Sequence, residues 1–228
     1  MMNQVTVLLP AYNEEKSISK VISQVRALPI KCDILVIDNK CTDNTATIAR
    51  ELGATVVREE RQGKGVAVRT GLAGTNTRYV VMIDADGTYP VEAIPSFCEV
   101  LLEYDVVKGD RRWCESGATT KVHQFGNYVL SLLASILFGY RVRDVCSGMW
   151  AFRKESLDKF KLTSTGFTLE ADFFVNAVRA GCRLKELPIV YTKRIEGDKA
   201  KLMLVDGFKI GWFLLKSRFR SRKVVVSG

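Results

Sequence analysis

Two aspartates separated by one residue, Asp84 and Asp86, carry the clearest chemical signal in this chain of 228 residues. They follow the apolar run at residues 79–83 and precede Gly87, which is typical of a strand that ends in a turn. Side chains at positions i and i+2 of a strand lie on the same side, so both carboxylates can point at one ligand. Paired carboxylates suit Mg²⁺ or Mn²⁺, completed by water and phosphate oxygens. The alternative is a turn in which each aspartate bonds nearby backbone.

A second chemical signal is the glycine-rich stretch around Lys64. Gly63 and Gly65 flank this lysine at the predicted start of a helix. Glycine permits close backbone approach, and a helix N-terminus beside a lysine favours anions such as phosphate. The spacing is not that of a Walker A loop. The alternative is a flexible helix start with a solvated lysine.

The elements that position these side chains alternate between strand and helix. Short β-branched runs are typical of buried strands, and the amphipathic stretches between them of helices. This order predicts an α/β fold, a single domain with a mostly parallel sheet and helices on both faces. Ligands of such sheets bind beyond the carboxyl ends of the strands. We therefore expect residues 10–14, Asp38 and residues 84–86 to meet in one crevice.

Composition and charge narrow the function classes. A hydrophobic content of 47% suits one well-filled domain, and a net charge of +9 suits an anionic membrane, a polyanionic substrate or nucleic acid. A basic nucleic-acid-binding module is a distant alternative, because charge does not explain the converging carboxylates. We expect no nucleic-acid partner. The six cysteines lack Cys-x-x-Cys spacing, so we expect reduced thiols and no zinc site.

Two stretches bear on membranes. Residues 129–140 are apolar but too short to cross a bilayer of roughly 30 Å, which predicts a core or interfacial helix. Residues 202–219 combine Trp212 and Phe213 with lysines and arginines. This pattern fits an interfacial helix or a terminal helix packed on the domain. We expect a main domain at residues 1–201, a basic amphipathic tail at residues 202–228, and no targeting segment before the first strand.

Eight short motifs follow one another along the chain. They are Pro-Ala-Tyr-Asn-Glu-Glu at residues 10–15, Ile-Asp-Asn-x-x-Thr-Asp-x-Thr at 37–45, Gly-Lys-Gly at 63–65, Asp-Ala-Asp at 84–86, Val-Lys-Gly-Asp-Arg at 107–111, Gly-Asn at 126–127, Asp-Val-Cys-Ser-Gly-Met-Trp-Ala-Phe at 144–152 and Leu-Pro-Ile at 187–189. In this order they resemble the inverting family 2 glycosyltransferases of GT-A (Rossmann-like) fold, and among them the polyprenyl (dolichyl) phosphate sugar synthases. The resemblance extends from about residue 4 to residue 205.

The resemblance implies a donor site for a nucleotide sugar. UDP-glucose or UDP-N-acetylglucosamine is favoured, with GDP-mannose as the runner-up. Asp84 and Asp86 would hold Mg²⁺ or Mn²⁺ against the donor diphosphate, and Arg111 would bind phosphate, so Asp86 and Arg111 are the expected catalytic residues. The implied nucleotide-sugar-binding residues are Pro10, Ala11, Tyr12, Glu14, Asp38, Lys64, Gly65, Asp84, Ala85, Asp86, Arg111, Arg194 and Lys201.

The resemblance also implies a polyprenyl phosphate acceptor, bound through Gln124, Asn127 and Ser147. Such a phosphate is largely dianionic at pH 7, because its second pKa lies near 6, and it needs no general base. A saccharide hydroxyl would need one, and Asp172 or Glu170 is then the candidate. These acids could instead only stabilise a helix N-terminus.

A lipid acceptor implies a location at a membrane. We expect an enzyme that is cytoplasmic and peripherally attached to the cytoplasmic face of an anionic membrane. Attachment would be through residues 202–219 or through a membrane-protein partner.

Overall fold

A seven-stranded sheet forms the centre of the protein, in a computed structural model that describes residues 5–194 and 204–219. Its strands are β1 (Val5–Ala11), β2 (Cys32–Asp38), β3 (Thr55–Arg58), β4 (Tyr79–Met82), β5 (Val106–Cys114), β6 (Trp150–Arg153) and β7 (Leu184–Tyr191). The strand order is β3-β2-β1-β4-β6-β5-β7. Only β6 runs antiparallel to its neighbours, so the mostly parallel sheet is confirmed.

Helices cover both faces of the sheet. They are α1 (Ile18–Arg26), α2 (Thr45–Glu51), α3 (Lys64–Ala73), α4 (Ile94–Val100), α5 (Lys121–Phe138), α6 (Lys154–Leu157), α7 (Leu169–Arg179) and α8 (Leu204–Phe219). Alternate side chains of β1 serve the two faces: Val7 and Leu9 pack into the core beneath α1 and α4, whereas Leu8 packs beneath α3 and α7. The predicted α/β domain with two covered faces is confirmed.

Helix α1 shows how the sequence fixes one side of the crevice. Ile18, Val21, Ile22 and Val25 recur at helical spacing and are all buried. Burial of each such side chain contributes roughly 1.5–3 kcal/mol. The packed helix therefore holds the turn at residues 12–17 over the carboxyl end of β1.

Helix α5 differs from the sequence expectation in its bounds. α5 is capped at its start by Thr120, whose side chain accepts a hydrogen bond from the His123 N–H. It is capped at its end by Gly139, which has a left-handed backbone conformation. It is therefore longer than the predicted residues 129–140. α8 places Ile210 and Leu214 in the core beneath α5 and α7. The predicted boundary at residues 201–202 lies outside the described residues. Within residues 5–194 and 204–219, no helix is long and apolar enough to span a bilayer.

Candidate functional site

A cavity of about 400 Å³ lies at the carboxyl ends of β1, β2 and β4. The turns after these three strands meet there with the start of α3, the end of β7 and the first turn of α7. The cavity is the crevice expected for a parallel sheet. The sequence-predicted residues on its wall are Pro10, Ala11, Tyr12, Glu14, Lys64, Asp84, Ala85, Asp86, Arg111, Glu170 and Arg194.

The two aspartates after β4 each face a cation. Asp84 Oδ1 lies 2.5 Å from Lys64 Nζ, and Asp86 Oδ2 lies 2.5 Å from Arg194 Nη2. Asp86 Oδ1 also accepts a hydrogen bond from the Thr88 hydroxyl at 2.6 Å. Burial and the nearby Asp84 charge raise the pKa of Asp86, although Arg194 opposes the shift. This end of the cavity therefore favours positive charge beside the carboxylates.

Lys64 links Asp84 to a third carboxylate. Its Nζ lies 2.6 Å from Glu170 Oε1, at the first turn of α7. Burial alone would lower the pKa of Lys64, but the charges of Asp84 and Glu170 outweigh it and raise this pKa. Burial also raises the pKa of Glu170, against the opposing Lys64 charge. Lys64 thus forms the counter-ion of two acidic groups on the cavity wall.

Gly148 gives Asp84 its room. A Cβ atom built on Gly148 would lie 2.3 Å from Asp84 Oδ2, closer than any side chain tolerates. The Gly148 N–H donates to the Tyr89 hydroxyl at 2.6 Å, which fixes the backbone in this position. A larger residue at this position would therefore displace the Asp84 carboxylate, because the chain passes directly against it.

The donor set at this end fits a divalent cation that is completed by phosphate. Asp84 and Asp86 offer hard carboxylate oxygens on one wall. Among the described residues, no group of three or more histidines, cysteines, aspartates and glutamates could hold a metal by itself. Arg194 Nη1 is buried and has no hydrogen-bond partner in the described part of the chain. Phosphate oxygens would supply both the missing ligands and the acceptor for Arg194.

The glycines around Lys64 have a structural role that the sequence did not indicate. A Cβ on Gly63 would lie 2.2 Å from the Thr165 carbonyl oxygen, and a Cβ on Gly65 2.5 Å from that of Ser164. Gly63 also has a φ of +138°, a conformation that favours glycine. The close approach that the structure shows is to the chain's own backbone. Gly65 is buried beneath residues 164–165. Of the three residues 63–65, Gly63 and Lys64 line the cavity and Gly65 does not.

Asp38 lies behind the cavity rather than on its wall. Its carboxylate accepts from the Cys41 N–H at 2.7 Å and from Arg58 Nη1 at 2.8 Å. Although burial favours the neutral acid, these contacts hold the pKa of Asp38 below its ordinary value. The neighbouring Asn39 lines the cavity instead, and its Oδ1 accepts from the Gly63 N–H at 2.8 Å. Sequence reasoning missed Asn39, although its place directly after a strand-end aspartate was a usable signal.

The turn at residues 12–15 is joined to the loop before α2. Asn13 adopts a φ of 53°, which asparagine tolerates, and its Oδ1 accepts from the Thr42 N–H at 2.8 Å. The Glu14 N–H donates to the Thr45 hydroxyl at 2.8 Å. The two loops therefore form one rigid wall, from which Tyr12 projects with 38% of its surface exposed.

Arg111 forms another part of the cavity wall and is held by Asp144. Its Nε and Nη2 each lie 2.8 Å from the Asp144 carboxylate, and its backbone N–H donates to the same group at 2.9 Å. Asn127 Nδ2 adds a fourth contact at 2.9 Å. Although burial favours the neutral acid, the Arg111 charge holds the pKa of Asp144 well below its ordinary value. In the sequence Asp144 was part of the motif at residues 144–152, but no function was predicted for it.

A buried ion pair supports this wall from below. Lys108 is fully buried, its Nζ lies 2.9 Å from Glu186 Oε1, and it also donates to the Asp144 carbonyl. Ser147, predicted at the acceptor, is fully buried behind the wall, and its carbonyl accepts from Trp150 Nε1 at 2.6 Å. Gln124 lies exposed on α5. Of the three predicted acceptor residues, only Asn127 contacts the Arg111–Asp144 ion pair through its side chain, whereas Ser147 contacts Asp144 through its backbone N–H, which donates to the Asp144 carbonyl at 3.4 Å. Lys201 falls outside the described residues.

Asp172 and Glu170 separate into two roles. Asp172 Oδ2 accepts from the backbone N–H groups of Thr163 and Ser164 at 2.6 and 2.8 Å, and its Oδ1 accepts from Asn176 Nδ2 at 2.8 Å. It thereby anchors the loop that covers Gly63 and Gly65. Of the two predicted bases, only Glu170 lies on the cavity wall.

Comparison with known proteins decides the family. Residues 6–161 match the model for glycosyl transferase family 2. The chain belongs to this family. It is 34% identical to a dolichyl-phosphate hexose transferase of Haloferax volcanii over 217 residues, which cover 94% of this chain and 93% of the relative. It is 27% identical to an undecaprenyl-phosphate mannosyltransferase of Micrococcus luteus, with 86% of each chain covered.

Solved structures agree with this assignment. A crystal structure of glucosyl-3-phosphoglycerate synthase from Mycobacterium tuberculosis, in complex with Mn²⁺, UDP-glucose and phosphoglyceric acid, matches with a TM-score of 0.75. The match has 25% identity and covers 94% of this chain and 79% of that one. The predicted GT-A fold and the predicted glycosyltransferase family are therefore confirmed.

Proposed function

We propose that this glycosyltransferase moves a sugar from a nucleotide-diphosphate donor to a polyprenyl phosphate, with inversion at the anomeric carbon. The observation that carries the proposal is the part of the cavity wall that Arg111 forms. There the cavity offers Arg111, a guanidinium fixed in place by Asp144, which suits recognition of a phosphate. Two relatives whose names specify dolichyl-phosphate and undecaprenyl-phosphate transferases support this acceptor class.

The donor would lie against the turns after β1 and β4. Residues 10–14 form the wall for base and ribose, and Asp84 with Asp86 would hold Mg²⁺ or Mn²⁺. When bound, the metal would offset negative charge on the departing nucleotide diphosphate. UDP-glucose or UDP-N-acetylglucosamine is the favoured donor and GDP-mannose the runner-up. The neighbour solved with UDP-glucose supports a uridine donor.

Lys64 and Arg194 would stabilise the leaving group. Each lies 2.5 Å from one of the two aspartates that the metal would bind. If Asp84 and Asp86 held a divalent cation, Lys64 and Arg194 would lose these partners in part and would be available for the diphosphate. Preorganised charges beside a developing negative charge lower the barrier to transfer.

The acceptor phosphate needs no proton transfer. Near pH 7 it is largely dianionic, because its second pKa lies near 6. One of its oxygens attacks the anomeric carbon, the bond from that carbon to the diphosphate oxygen breaks, and the diphosphate leaves with the electron pair. Arg111 would orient the attacking phosphate within reach of the sugar.

A second candidate function uses a saccharide hydroxyl as the nucleophile. Glu170 favours it, because this carboxylate lies on the cavity wall and burial raises its pKa. Asp172 does not serve this function, since its carboxylate already binds two backbone N–H groups and Asn176. The two functions differ in whether Glu170 must accept a proton.

A polyprenyl phosphate acceptor sets the location of the reaction. Its chain is lodged in a bilayer and its phosphate lies at the headgroups, so the cavity must reach a membrane surface. We infer peripheral attachment at a cytoplasmic membrane face, directly or through a membrane-protein partner. α8 supports direct attachment, because it carries Lys209, Lys216 and Arg218 beside exposed aromatic side chains.

The test is a screen of donors against acceptors. The full chain is incubated with Mg²⁺ or Mn²⁺, one of the three nucleotide sugars and a short-chain polyprenyl phosphate, and released UDP or GDP is measured. We expect release with one donor and a sugar-phosphate lipid of the matching mass. The corresponding polyprenol, which lacks the phosphate, should be inert. Release with saccharides and none with the lipid phosphate would favour the second function.

A further inference from the structure

Helix α5 carries an exposed apolar stripe. Its members recur at positions i, i+3, i+7, i+10 and i+14, so they lie along one side of the helix. Each has between 44% and 71% of its surface exposed, which is unusual for consecutive large hydrophobic side chains on one helix face. The stripe consists of Val122, Phe125, Val129, Leu132 and Ile136, with Tyr128 beside it.

Helix α8 packs beside α5 and carries a stripe of its own. Its inner side is fixed by Ile210 and Leu214 in the core, and Gly211 allows it to approach Leu130 of α5. Its outer side exposes Phe208 and Trp212, with 82% and 68% of their surface accessible. Val205 and Phe219 are also exposed on α8. The exposed apolar side chains of these two neighbouring helices are together named here the α5–α8 face.

The charges on this face have one sign. Lys121, Lys209, Lys216 and Arg218 are exposed around the apolar stripes. The only acidic residue in either helix as described is Asp206, which is buried and pairs with Lys209 at 2.9 Å. An apolar centre with basic flanks and no exposed carboxylate on these helices complements an anionic lipid surface.

We propose that the α5–α8 face is the surface with which this protein lies in the headgroup layer of an anionic bilayer. The large apolar side chains enter the boundary of the acyl chains, and the lysines and arginine pair with anionic headgroups. α5 is the principal element, because its stripe extends along nearly the whole helix. The inference deepens the proposed function and rests on it for the purpose of the contact.

The same helix reaches the acceptor side of the cavity. Asn127 lies between Phe125 and Val129 in the chain, and its Nδ2 donates to Asp144, which holds Arg111. Asn127 lies about 200° around α5 from Phe125, on the side that faces the protein, so docking through the stripe would place Arg111 roughly one helix diameter, about 10 Å, from the apolar contact. A phosphate carried by a membrane lipid would then reach the cavity from the headgroup layer while its chain stays in the bilayer.

The test is co-sedimentation of the full chain with vesicles of phosphatidylcholine and phosphatidylglycerol. We expect binding at low salt, weaker binding to pure phosphatidylcholine, and release as ionic strength rises. Phe125→Ser/Ile136→Ser should weaken binding by roughly tenfold or more, because two exposed apolar side chains are lost. Leu102→Ser is the matched control: Leu102 is 58% exposed just after α4, on the other face of the sheet, and should bind as the unchanged protein does.

Several outcomes would overturn the inference. The unchanged protein could ignore the vesicles, or the double variant could bind them fully. The double variant could also turn a dimer into a monomer in sedimentation equilibrium, which would assign the stripe to a second copy of the chain. If the double variant does not fold, Lys216→Glu/Arg218→Glu must weaken binding to the anionic vesicles. Transfer to a short, water-soluble isoprenyl phosphate needs no vesicle, so it tests the proposed function separately.

Discussion

The two walls of the cavity hold their charges in different ways. On the wall proposed to bind the donor, here the donor wall, Lys64 contacts Asp84 and Glu170 through one ion pair each and Arg194 contacts Asp86 through one, and Arg194 keeps one buried nitrogen without a partner among the described residues. On the wall proposed to bind the acceptor, here the acceptor wall, Arg111 binds Asp144 through two side-chain contacts and its own backbone N–H. Lys108 and Glu186 support that pair from below.

The difference indicates that Lys64 and Arg194 can exchange their partners when ligands bind, whereas Arg111 keeps Asp144 as its partner. When a metal and phosphate oxygens replace the single contacts, each charged group gains a new partner and none is left buried and unpaired, whereas a bidentate buried pair is lost only with a large penalty. The donor wall is therefore suited to a leaving group that arrives with a cation and departs. The acceptor wall is suited to orienting a nucleophile in one fixed position.

The largest expected effect is on the donor wall. Asp86→Ala should lower turnover by at least about 1,000-fold in any divalent metal, since metal stabilisation of several kcal/mol is lost. Asp84→Ala should be nearly as severe. Initial rates over a titration of Mg²⁺ and Mn²⁺ provide the measurement, and Asp33→Ala, on an exposed position of β2, is the control. Undiminished turnover of Asp86→Ala in EDTA would show that the donor wall does not bind a metal needed for transfer.

The next effect is on the acceptor wall. Arg111→Ala should lower kcat/KM for the lipid phosphate by on the order of 100-fold, because a charge-assisted phosphate contact is lost. Arg111→Lys should not restore it, since an ammonium cannot pair bidentately with Asp144. Rates are normalised to folded protein. Arg112→Ala is the control, because Arg112 is half exposed and pairs with Asp110. Equal losses in the two alanine variants would mean that Arg111 has no special contact.

A smaller effect concerns stability. Asp144→Asn should lower the free energy of unfolding by about 3 kcal/mol at pH 7, because Arg111 loses a buried partner. The folded-state pKa of Asp144 is lowered, so its contribution is complete above the unfolded pKa of about 3.9 and is lost as the pH falls further. Urea unfolding should therefore show a difference in the free energy of unfolding between the unchanged protein and Asp144→Asn, and this difference should become smaller below about pH 4. The matched control, Asp158→Asn in an exposed pair with Lys154, should change stability by less than about 1 kcal/mol. Equal changes in the free energy of unfolding of Asp144→Asn and Asp158→Asn would contradict the claim that Asp144 holds Arg111 in a fixed position.

The sequence predicted the crevice because its signals are local. Apolar runs followed by Asp or Gly mark strand ends, and the carboxyl ends of parallel strands must meet. The partners of each side chain depend on contacts between distant segments, which spacing does not reveal. Gly63 and Gly65 read as a phosphate loop, yet they make room for residues 164–165. The role of Asp144 follows from its ion pair with Arg111, and that of Gly148 from its contact with Asp84; neither contact is visible in the sequence.

The membrane face shows the same limit. The sequence indicated α8 through its aromatic and basic residues, and the structure bears out a helix there with a buried inner side. In α5 the periodicity alone could not decide which side would be covered, because an apolar stripe can face a core or a lipid. Only the observed exposure of Phe125 and Ile136 separates these cases.

The most direct test of a base-free transfer to phosphate is the pH dependence of kcat/KM for the lipid phosphate in Glu170→Gln. Glutamine still offers Lys64 an oxygen but cannot accept a proton. We expect a loss of less than about tenfold, with a rate that rises to a plateau through about pH 6 in both proteins, as the acceptor phosphate loses its second proton. A loss of about 100-fold or more, with disappearance of the acidic limb, would instead identify Glu170 as a general base and contradict the phosphate nucleophile.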